Sequence, residues 1–553
     1  MSKAPSTTWF GISYDRMIYD EGSNVYDAWA ARLLQPEGQA TLEAFVARRF
    51  KHRGEATYMG SEQGSYNIVF RFRFADGQKP DIALLVAKPG HTAVGLADEK
   101  IENAVNWMRY LRTHTTIPIP EVHVWGSTAD SPEGVGSAFI FMDYVEGISL
   151  RTYMRRFREW TKANTSSSNG GSSEAEDAAL NKKRRCVYEQ VAAIHQQLYR
   201  CRFDRIGSIT HDTASGQWAV TRRPLTMDMH QQVLGVPCYS TAHWPRGPFR
   251  RTRDYLDFVL VEQQIQLHGL RNLNVPPDQA IPDASIQASQ STRRRRNDVD
   301  LDWARDIAAY RFRARQGVAR LRARFYPSHG DDGDDGHGRF VAFNPDMDPR
   351  NMIVDPDTGR IVAVLDFEYM NAMPAEFACN APVWLKGVPL TAVLERGFFR
   401  WFVKEYEPLM EQFLVAMRCV EDRAYGAGRK RGEEEEKETA SAAVGRLTDT
   451  TAETRLSDAM RTSWQTQRFW FDYAVNSIDD VDAIYWAVFH DEDAPRELPP
   501  ELEQAMEQYR TFTEEQIAHY EASQIEYDRT KDETLSRGEE TKTAQDSTDA
   551  TVP

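Results

Sequence analysis

The segment Phe340–Phe377 reads FVAFNPDMDPRNMIVDPDTGRIVAVLDFEYMNAMPAEF and contains two short apolar runs separated by turn-forming residues. Met352–Asp355 and Ile361–Leu365 have the composition of strands. Gly359 lies in the turn between them, where a positive φ is needed and where glycine adopts it without steric cost. The segment therefore predicts a β-hairpin.

The register of this hairpin decides which polar residues meet. In an antiparallel pair, the residue numbers of two facing residues always add up to the same total. If Val354 faces Ala363, every other position of the hairpin therefore has a definite partner. The same register places Asn351 opposite Asp366 at the open end, and Asp346 lies on the loop that enters the hairpin. Amide and carboxylate oxygens suit Mg²⁺ with bound phosphates, whereas zinc prefers Cys and His.

The chain changes character on the two sides of residue 150. Between about residues 56 and 145 it reads mostly as strands, because Asn67–Phe74 alternates apolar and polar residues and residues 81–87 form an apolar run. From Asn181 onward the pattern is mostly helical, as in 187–198, where apolar residues recur at spacings of four, three and four. A small strand-rich part before a large helical part predicts two lobes with a cleft between them.

Composition sets broad limits on function. The chain has 553 residues, of which 41% are hydrophobic and 27% charged, a globular balance. The net charge of −15 argues against nucleic acid as a partner. No apolar run approaches the roughly 20 residues that span a bilayer, and no secretory signal is visible, so we expect a cytoplasmic protein without membrane contact. The five cysteines show no CxxC spacing and fit a reducing compartment: Cys186, Cys201, Cys238, Cys379 and Cys419.

Several stretches of low hydrophobicity interrupt the helical part and predict disordered insertions. They lie near residues 164–177, 277–298, 328–338 and 426–453. These stretches lead to a predicted division into an N-terminal helical extension (1–53), an N-lobe (54–147), a helical C-lobe (148–533) and a disordered tail (534–553).

The hairpin motif resembles a known family. Asp346-x4-Asn351 followed by Asp366-Phe367-Glu368 resembles the H-x-D-x4-N and D-[FW]-E motifs of the aminoglycoside phosphotransferase and choline kinase-like group. Four further stretches resemble fungal members of that group: WMRYLRTHTTIPIPEVHVWG (107–126), FIFMDYVEGISL (139–150), YEQVAAIHQQLYRCRFDRIGSI (188–209) and SWQTQRFWFDYAVNSIDDVDAIYW (463–486). The resemblance covers roughly residues 54–490. It implies an α+β, bilobal protein-kinase-like fold with a small antiparallel-sheet N-lobe and a large helical C-lobe.

The resemblance also implies roles for individual residues. Asp346 is expected to accept the proton of the acceptor hydroxyl, and Asn351 and Asp366 to hold Mg²⁺ against the ATP phosphates. Lys88, at the end of an apolar strand, is the candidate for the lysine on the α- and β-phosphates, although it could equally be a strand-end surface lysine. The expected reaction is transfer of the γ-phosphoryl group of ATP to a hydroxyl of a small metabolite.

Two further segments complete the expected nucleotide site. The loop over the phosphates is expected at residues 60–67, with Gly60, Gly64 and Ser65, although these glycines also fit an ordinary hairpin turn. The hinge between the lobes is expected at residues 142–145, where Met142 and Tyr144 would lie beside the adenine.

Two departures from the family pattern support an alternative. The histidine two residues before the catalytic aspartate is Asn344, which could brace the loop through its amide. The helix glutamate that pairs with the phosphate lysine falls near Ala104, which cannot make that pair. The alternative is therefore a catalytically weak or inactive pseudokinase that acts as a nucleotide- or protein-binding module.

Overall fold

The structure is a computed structural model that describes residues 5–10, 15–77, 80–156, 174–275, 301–327, 340–438, 455–491 and 498–549. The strands are β1 (Ala56–Gln63), β2 (Asn67–Phe74), β3 (Ile82–Ala87), β4 (Val122–Gly126), β5 (Phe139–Asp143), β6 (Ile148–Ser149), β7 (Arg202–Phe203), β8 (Ser208–Asp212), β9 (Gln217–Arg222), β10 (Phe340–Phe343), β11 (Met352–Val354), β12 (Ile361–Val364) and β13 (Asn371–Pro374). The helices are α1 (Arg16–Leu34), α2 (Pro36–Arg49), α3 (Ala97–His114), α4 (Glu174–Arg200), α5 (Met227–Gly235), α6 (Thr252–Gly269), α7 (Leu301–Phe325), α8 (Ala375–Ala378), α9 (Leu390–Glu395), α10 (Phe399–Glu438), α11 (Leu456–Gln465), α12 (Arg468–Val475), α13 (Val481–Ile484) and α14 (Pro500–Asp549).

A five-stranded antiparallel sheet forms the first lobe, in the order β1-β2-β3-β5-β4. The alternation in β2 is confirmed, because its even-numbered residues from Ile68 to Phe74 are buried. They pack with residues of α1 and α2 on one face of the sheet. Ala83 and Ala87 of β3 belong instead to the core that contains α3. The sheet is therefore covered on both faces by helices.

The rest of the chain is mainly helical and is built around one large core. The expected face of α4 is confirmed, since all four of its predicted apolar residues are buried: Val187, Val191, Ile194 and Leu198. Two small sheets, β13-β10-β7 and β12-β11-β6, lie in this lobe and carry the segment around residue 346. The expected α+β class, with an antiparallel-sheet lobe and a large helical lobe, is confirmed. No helix of the described ranges has the length and apolar character that crossing a bilayer requires.

Three of the stretches that were expected to be disordered are partly helical. Helix α4 begins at Glu174, α10 continues to Glu438 and α14 to Asp549, so residues 174–177, 426–438 and 534–549 are helical. Residues 426–438 are rich in Glu, Lys and Arg, which favour helix even where hydrophobicity is low. Residues 164–173, 277–298, 328–338, 439–453 and 550–553 lie outside the described residues.

The predicted hairpin is present, but its predicted register is wrong by one residue. Met352 pairs with Val364 and Ile353 with Ala363, after which a bulge in β12 pairs Val354 with Ile361. A bulge inserts one extra residue into one strand only, so a register counted from residue numbers alone does not predict it. Asn351 is therefore opposite Leu365, whose N–H donates to the Asn351 carbonyl at 2.8 Å.

Gly359 has the expected positive φ, at 70°. A Cβ atom at this position would lie 2.3 Å from the Tyr153 hydroxyl. We expect Gly359→Ala to lower the free energy of unfolding by about 2–4 kcal/mol, from backbone strain and this contact together. The control is Gly216→Ala, because Gly216 has the same φ but an open Cβ position. Urea denaturation that gave equal losses for the two variants would contradict the proposed contact.

A buried ion cluster joins α7 to α13. Arg311 and Arg315 contact Asp482 at 2.7 and 3.1 Å, and their side chains are at most 3% exposed. Arg315 also donates to the Gln263 carbonyl and to Gln266 Oε1 of α6. The cluster therefore ties three helical segments of the large lobe together.

Candidate functional site

The loop after β10 holds the half-buried Asp346. Asn344 is buried, and its Oδ1 accepts from the Asp346 N–H at 3.0 Å. Its Nδ2 donates to the Asp366 carbonyl at 2.9 Å. Asn344 therefore braces this loop and connects it to the residue that follows the hairpin.

Asn351 holds the Asp346 side chain. Its Nδ2 donates to Asp346 Oδ2 at 2.9 Å and to the Asp346 carbonyl at 3.0 Å. Burial raises the pKa of the Asp346 carboxyl to about 6, and the bond from Asn351 opposes this shift. A carboxylate with a pKa near neutrality is suited to accept a proton from a hydroxyl. Its catalytic role stays a prediction.

Asp366 adopts a left-handed backbone conformation, with φ at 68°. Such a conformation costs roughly 1–2 kcal/mol outside glycine and is often found at functional sites. Burial, and then the neighbouring carboxylates Glu368 and Asp346, hold the pKa of Asp366 well above its usual range. Within the described chain its carboxylate makes no hydrogen bond, so this group is available for a cation.

The donor atoms present fit Mg²⁺ better than zinc. Within the described ranges no group of three or more His, Cys, Asp or Glu residues is arranged to hold a metal ion. The Nδ2 of Asn351 is used by Asp346, which leaves its Oδ1 free of any described hydrogen bond. This oxygen and the Asp366 carboxylate are hard ligands of the kind that Mg²⁺ takes together with substrate phosphates. Metal binding by Asn351 and Asp366 stays a prediction.

The expected phosphate loop is shorter than the sequence indicated. Gly60 lies inside β1 at a bulge, with φ at 136°, and only residues 64–66 separate β1 from β2. The Gly64 N–H donates to the Asn67 carbonyl at 2.8 Å and closes the turn. Ser65 is exposed at the tip. Residues 60–67 are thus a β-hairpin, and their contact with a nucleotide stays a prediction.

Lys88 is not brought together with Asp346 and Asp366 by any described contact. Its Nζ lies 3.9 Å from the centre of the Tyr26 ring and donates to the Gly64 carbonyl at 3.2 Å. Burial lowers the pKa of Lys88. The expected phosphate lysine therefore packs against helix α1.

The expected hinge is where β5 ends. Met142 is a buried residue of β5, and Tyr144 follows the strand. The N–H groups of Asp143 and Tyr144 donate to the carbonyls of Glu121 and Asp81 at 3.0 and 2.8 Å. These two groups are used within the sheet, so an adenine at this edge would need other backbone partners.

A contact that the sequence did not single out lies beside Asp366. The buried Lys100 of α3 pairs with Glu368 at 3.4 Å. Asn67 and Asn103 also bond Glu368, through its side chain and its carbonyl. Lys100 lies one helical turn before Ala104 and on the same face of α3.

A small cavity with a volume of about 30 Å³ lies next to the braced loop. Its lining includes Pro345, Asp228, Tyr255, Phe258 and Tyr369. The Tyr369 hydroxyl is buried and has no hydrogen-bond partner in the described chain. Burial, followed by the nearby carboxylates of Asp479, Asp480 and Glu262, raises the pKa of Asp228 to about 8. The pocket thus combines aromatic walls with an acid that lacks a compensating charge.

Asp228 should make stability depend on pH. Its pKa is about 8 in the folded chain and near 3.8 when exposed, so between these values only the folded state holds the proton. Stability is therefore present at low pH and lost as pH rises from about 4 to about 8. We expect Asp228→Asn to be more stable than the wild type at pH 8, by about 1–3 kcal/mol, and to converge with it near pH 4. Parallel pH curves of the two proteins in thermal denaturation would contradict this account.

Comparisons with known proteins give a partial sequence match and several similar solved structures. No family model matches the sequence. Subtelomeric hrmA-associated cluster proteins of two Aspergillus fumigatus strains are 26% identical over 149 residues, which is 27% of this chain and 24% of theirs. The match thus spans about a quarter of the length of these curated relatives.

The similar solved structures are small-molecule phosphotransferases. Aminoglycoside phosphotransferase APH(4)-Ia, in a ternary complex with AMP-PNP and hygromycin B, is 12% identical, covers 81% of this chain and all of its own, and has a TM-score of 0.35. APH(3″)-Id from Streptomyces rimosus is 16% identical and covers 68% of this chain and 96% of its own, with a TM-score of 0.31. Plasmodium vivax ethanolamine kinase is 11% identical and covers 84% of this chain and 81% of its own, with a TM-score of 0.35. These three structures belong to the group that the sequence motifs resemble.

Proposed function

We propose that this protein is an ATP-dependent, Mg²⁺-requiring kinase of a small hydroxylated metabolite. The observation that carries the proposal is the arrangement of Asp346, Asn351 and Asp366. Asn351 fixes the Asp346 carboxylate, Asn344 connects its loop to Asp366, and the Asp366 carboxylate remains without a hydrogen-bond partner in the described chain.

The chemistry follows from these positions. Asp346 accepts the proton of the acceptor hydroxyl while the hydroxyl oxygen forms a bond to the γ-phosphorus. The bond from that phosphorus to the β–γ bridging oxygen breaks, and ADP leaves with the electron pair. Asn351 Oδ1 and the Asp366 carboxylate would hold Mg²⁺, which neutralises charge on the phosphate oxygens. The protein itself mainly positions the reacting groups.

The pocket beside Pro345 supports an acceptor that carries an amine. An ammonium group in this small cavity would lower the raised pKa of Asp228 and favour its charged form, and it would pack against the aromatic walls. The unpaired Tyr369 hydroxyl would bond a polar group of the same molecule. Amino alcohols are therefore the first acceptors to screen for ADP release, with uncharged polyols of similar size as controls.

The first test is thermal stability with and without Mg·ATP. Binding to the folded state should raise the apparent stability of the wild type by about 2.7 kcal/mol at a hundredfold excess over Kd. We expect Asp366→Ala to lose this gain. Asp357→Ala, an exposed turn acid of the same hairpin, should keep it.

The possible outcomes separate the candidate functions. A wild type with no Mg·ATP shift would overturn the proposal. A shift without ADP release for any acceptor would favour the nucleotide-binding module, the alternative that Ala104 supports.

A further inference from the structure

Lys100 is the most completely buried lysine of the described chain, with none of its surface exposed. Its Nζ donates to Asn67 Oδ1 at 3.1 Å and to Thr92 Oγ1 at 3.2 Å, and lies 3.4 Å from the Tyr66 carbonyl. Glu368 Oε2, also at 3.4 Å, is the carboxylate that faces it. Burial of an unpaired ammonium group is costly in free energy. The buried position of Lys100 therefore depends on these partners.

Side chains alternate between the two faces of β3, and this explains why Lys88 does not lie beside Glu368 as Lys100 does. Ala83 and Ala87 face the core that contains α3, whereas the even-numbered residues Ile82, Leu84 and Val86 face α1 and α2. Side chains of a strand alternate between its two faces, and Lys88 follows the even-numbered set onto Tyr26. Ala87 and Ala104 both belong to that core, so neither of these positions supplies a cation there.

Lys100 supplies that cation from the helix. It lies four residues before Ala104, so the two side chains occupy the same face of α3. Its carboxylate partner Glu368 belongs to the large lobe and lies two residues after Asp366. The ion pair therefore connects the sheet lobe to the segment that holds the expected metal ligand.

Three further bonds fix the same segment. Asn67 Nδ2, at the start of β2, donates to the second oxygen of Glu368 at 2.6 Å. Asn103 Nδ2 donates to the carbonyls of Glu368 and Met370 at 2.8 and 2.9 Å. Helix α3 and strand β2 thus hold residues 368–370 by both backbone and side chain.

We propose that Lys100 and Glu368 form an interlobe ion pair that positions Asp366 for the metal–nucleotide complex. Lys100 is a positioning residue that acts through Glu368 and does not itself touch the nucleotide. The pair connects the turn between β1 and β2 to Glu368, two residues after Asp366. This inference rests on the proposed kinase function and names the residue pair that would organise its nucleotide side.

The test compares four variants with the wild type. The double variant Lys100→Met/Glu368→Gln removes both charges and leaves no unpaired ion, so it should fold even if Lys100→Met alone does not. Arg109→Met replaces an exposed cation of the same helix and is the matched control. Lys88→Met tests whether the lysine at the end of β3, and not Lys100, is needed for binding of Mg·ATP.

The measurements are kcat and KM for Mg·ATP in ADP release, and hydrogen exchange of amides 366–370 without nucleotide. We expect the double variant to have a KM for Mg·ATP raised about 10- to 100-fold, with faster exchange at 366–370, while Arg109→Met matches the wild type in both. Lys88→Met should raise the KM for Mg·ATP less than the double variant does. A folded double variant with wild-type KM and wild-type exchange would overturn the proposal. A KM that rises more in Lys88→Met than in the double variant would overturn it as well.

The exchange measurement separates this inference from the proposed function. If the wild type binds no Mg·ATP, the proposed function fails, and exchange at 366–370 still reports whether the pair positions this segment. If the wild type binds Mg·ATP and the double variant equals it in both readouts, the inference alone fails.

Discussion

Asp346→Asn is expected to lower kcat for ADP release by about 10²- to 10⁴-fold, the usual contribution of a positioned proton acceptor. The asparagine keeps the shape of the side chain, and its carbonyl oxygen can still accept the bond from Asn351. It cannot take a proton from a hydroxyl. Binding of Mg·ATP, measured as a thermal shift, should therefore remain while turnover is lost.

The matched control for this variant is Asp357→Asn. Asp357 is an exposed acid in the turn of the same hairpin, away from the braced loop. Its turnover should equal that of the wild type. If Asp346→Asn kept wild-type kcat, Asp346 could not be the proton acceptor, and the loop would have a binding role only.

Asp482→Ala should produce the largest loss of stability, about 3–5 kcal/mol. The change leaves the guanidinium groups of Arg311 and Arg315 buried without the carboxylate that compensates them. Removal of one partner of a buried ion pair costs more than the pair itself contributes, because the remaining charge stays out of water. Urea denaturation followed by circular dichroism would measure the loss.

An exposed ion pair provides the comparison. Glu411 contacts Arg461 at 2.7 Å, and both side chains are more than a third exposed. Glu411→Ala should cost less than about 1 kcal/mol, since water screens such pairs. Similar losses in Asp482→Ala and Glu411→Ala would show that the cluster between α7 and α13 is not a principal stabilising contact.

Local patterns predicted the elements well. The alternation in Asn67–Phe74 and the helical spacing of residues 187–198 both correspond to observed elements, because each pattern reports which side of one element is buried. The hairpin around Gly359 was predicted for the same reason. Its register was not, since the bulge between Ile361 and Ala363 depends on how the turn closes and not on hydrophobicity.

The contacts around Glu368 were beyond the reach of local patterns. Lys100 and Glu368 are distant in sequence, and neither the helical pattern of α3 nor the motif after β12 indicates that they meet. Lys88 was the natural candidate because it ends an apolar strand. The face it occupies depends on where β3 pairs with β2 and β5, which a single sequence does not reveal.

The ion pair between Lys100 and Glu368 has a consequence for the evolution of this chain. Substitution of either residue alone passes through a protein with an unpaired buried charge, whereas simultaneous replacement by two neutral residues avoids that cost. Descendants of a common ancestor should therefore keep both residues or lose both, and the two positions should covary in homologous sequences.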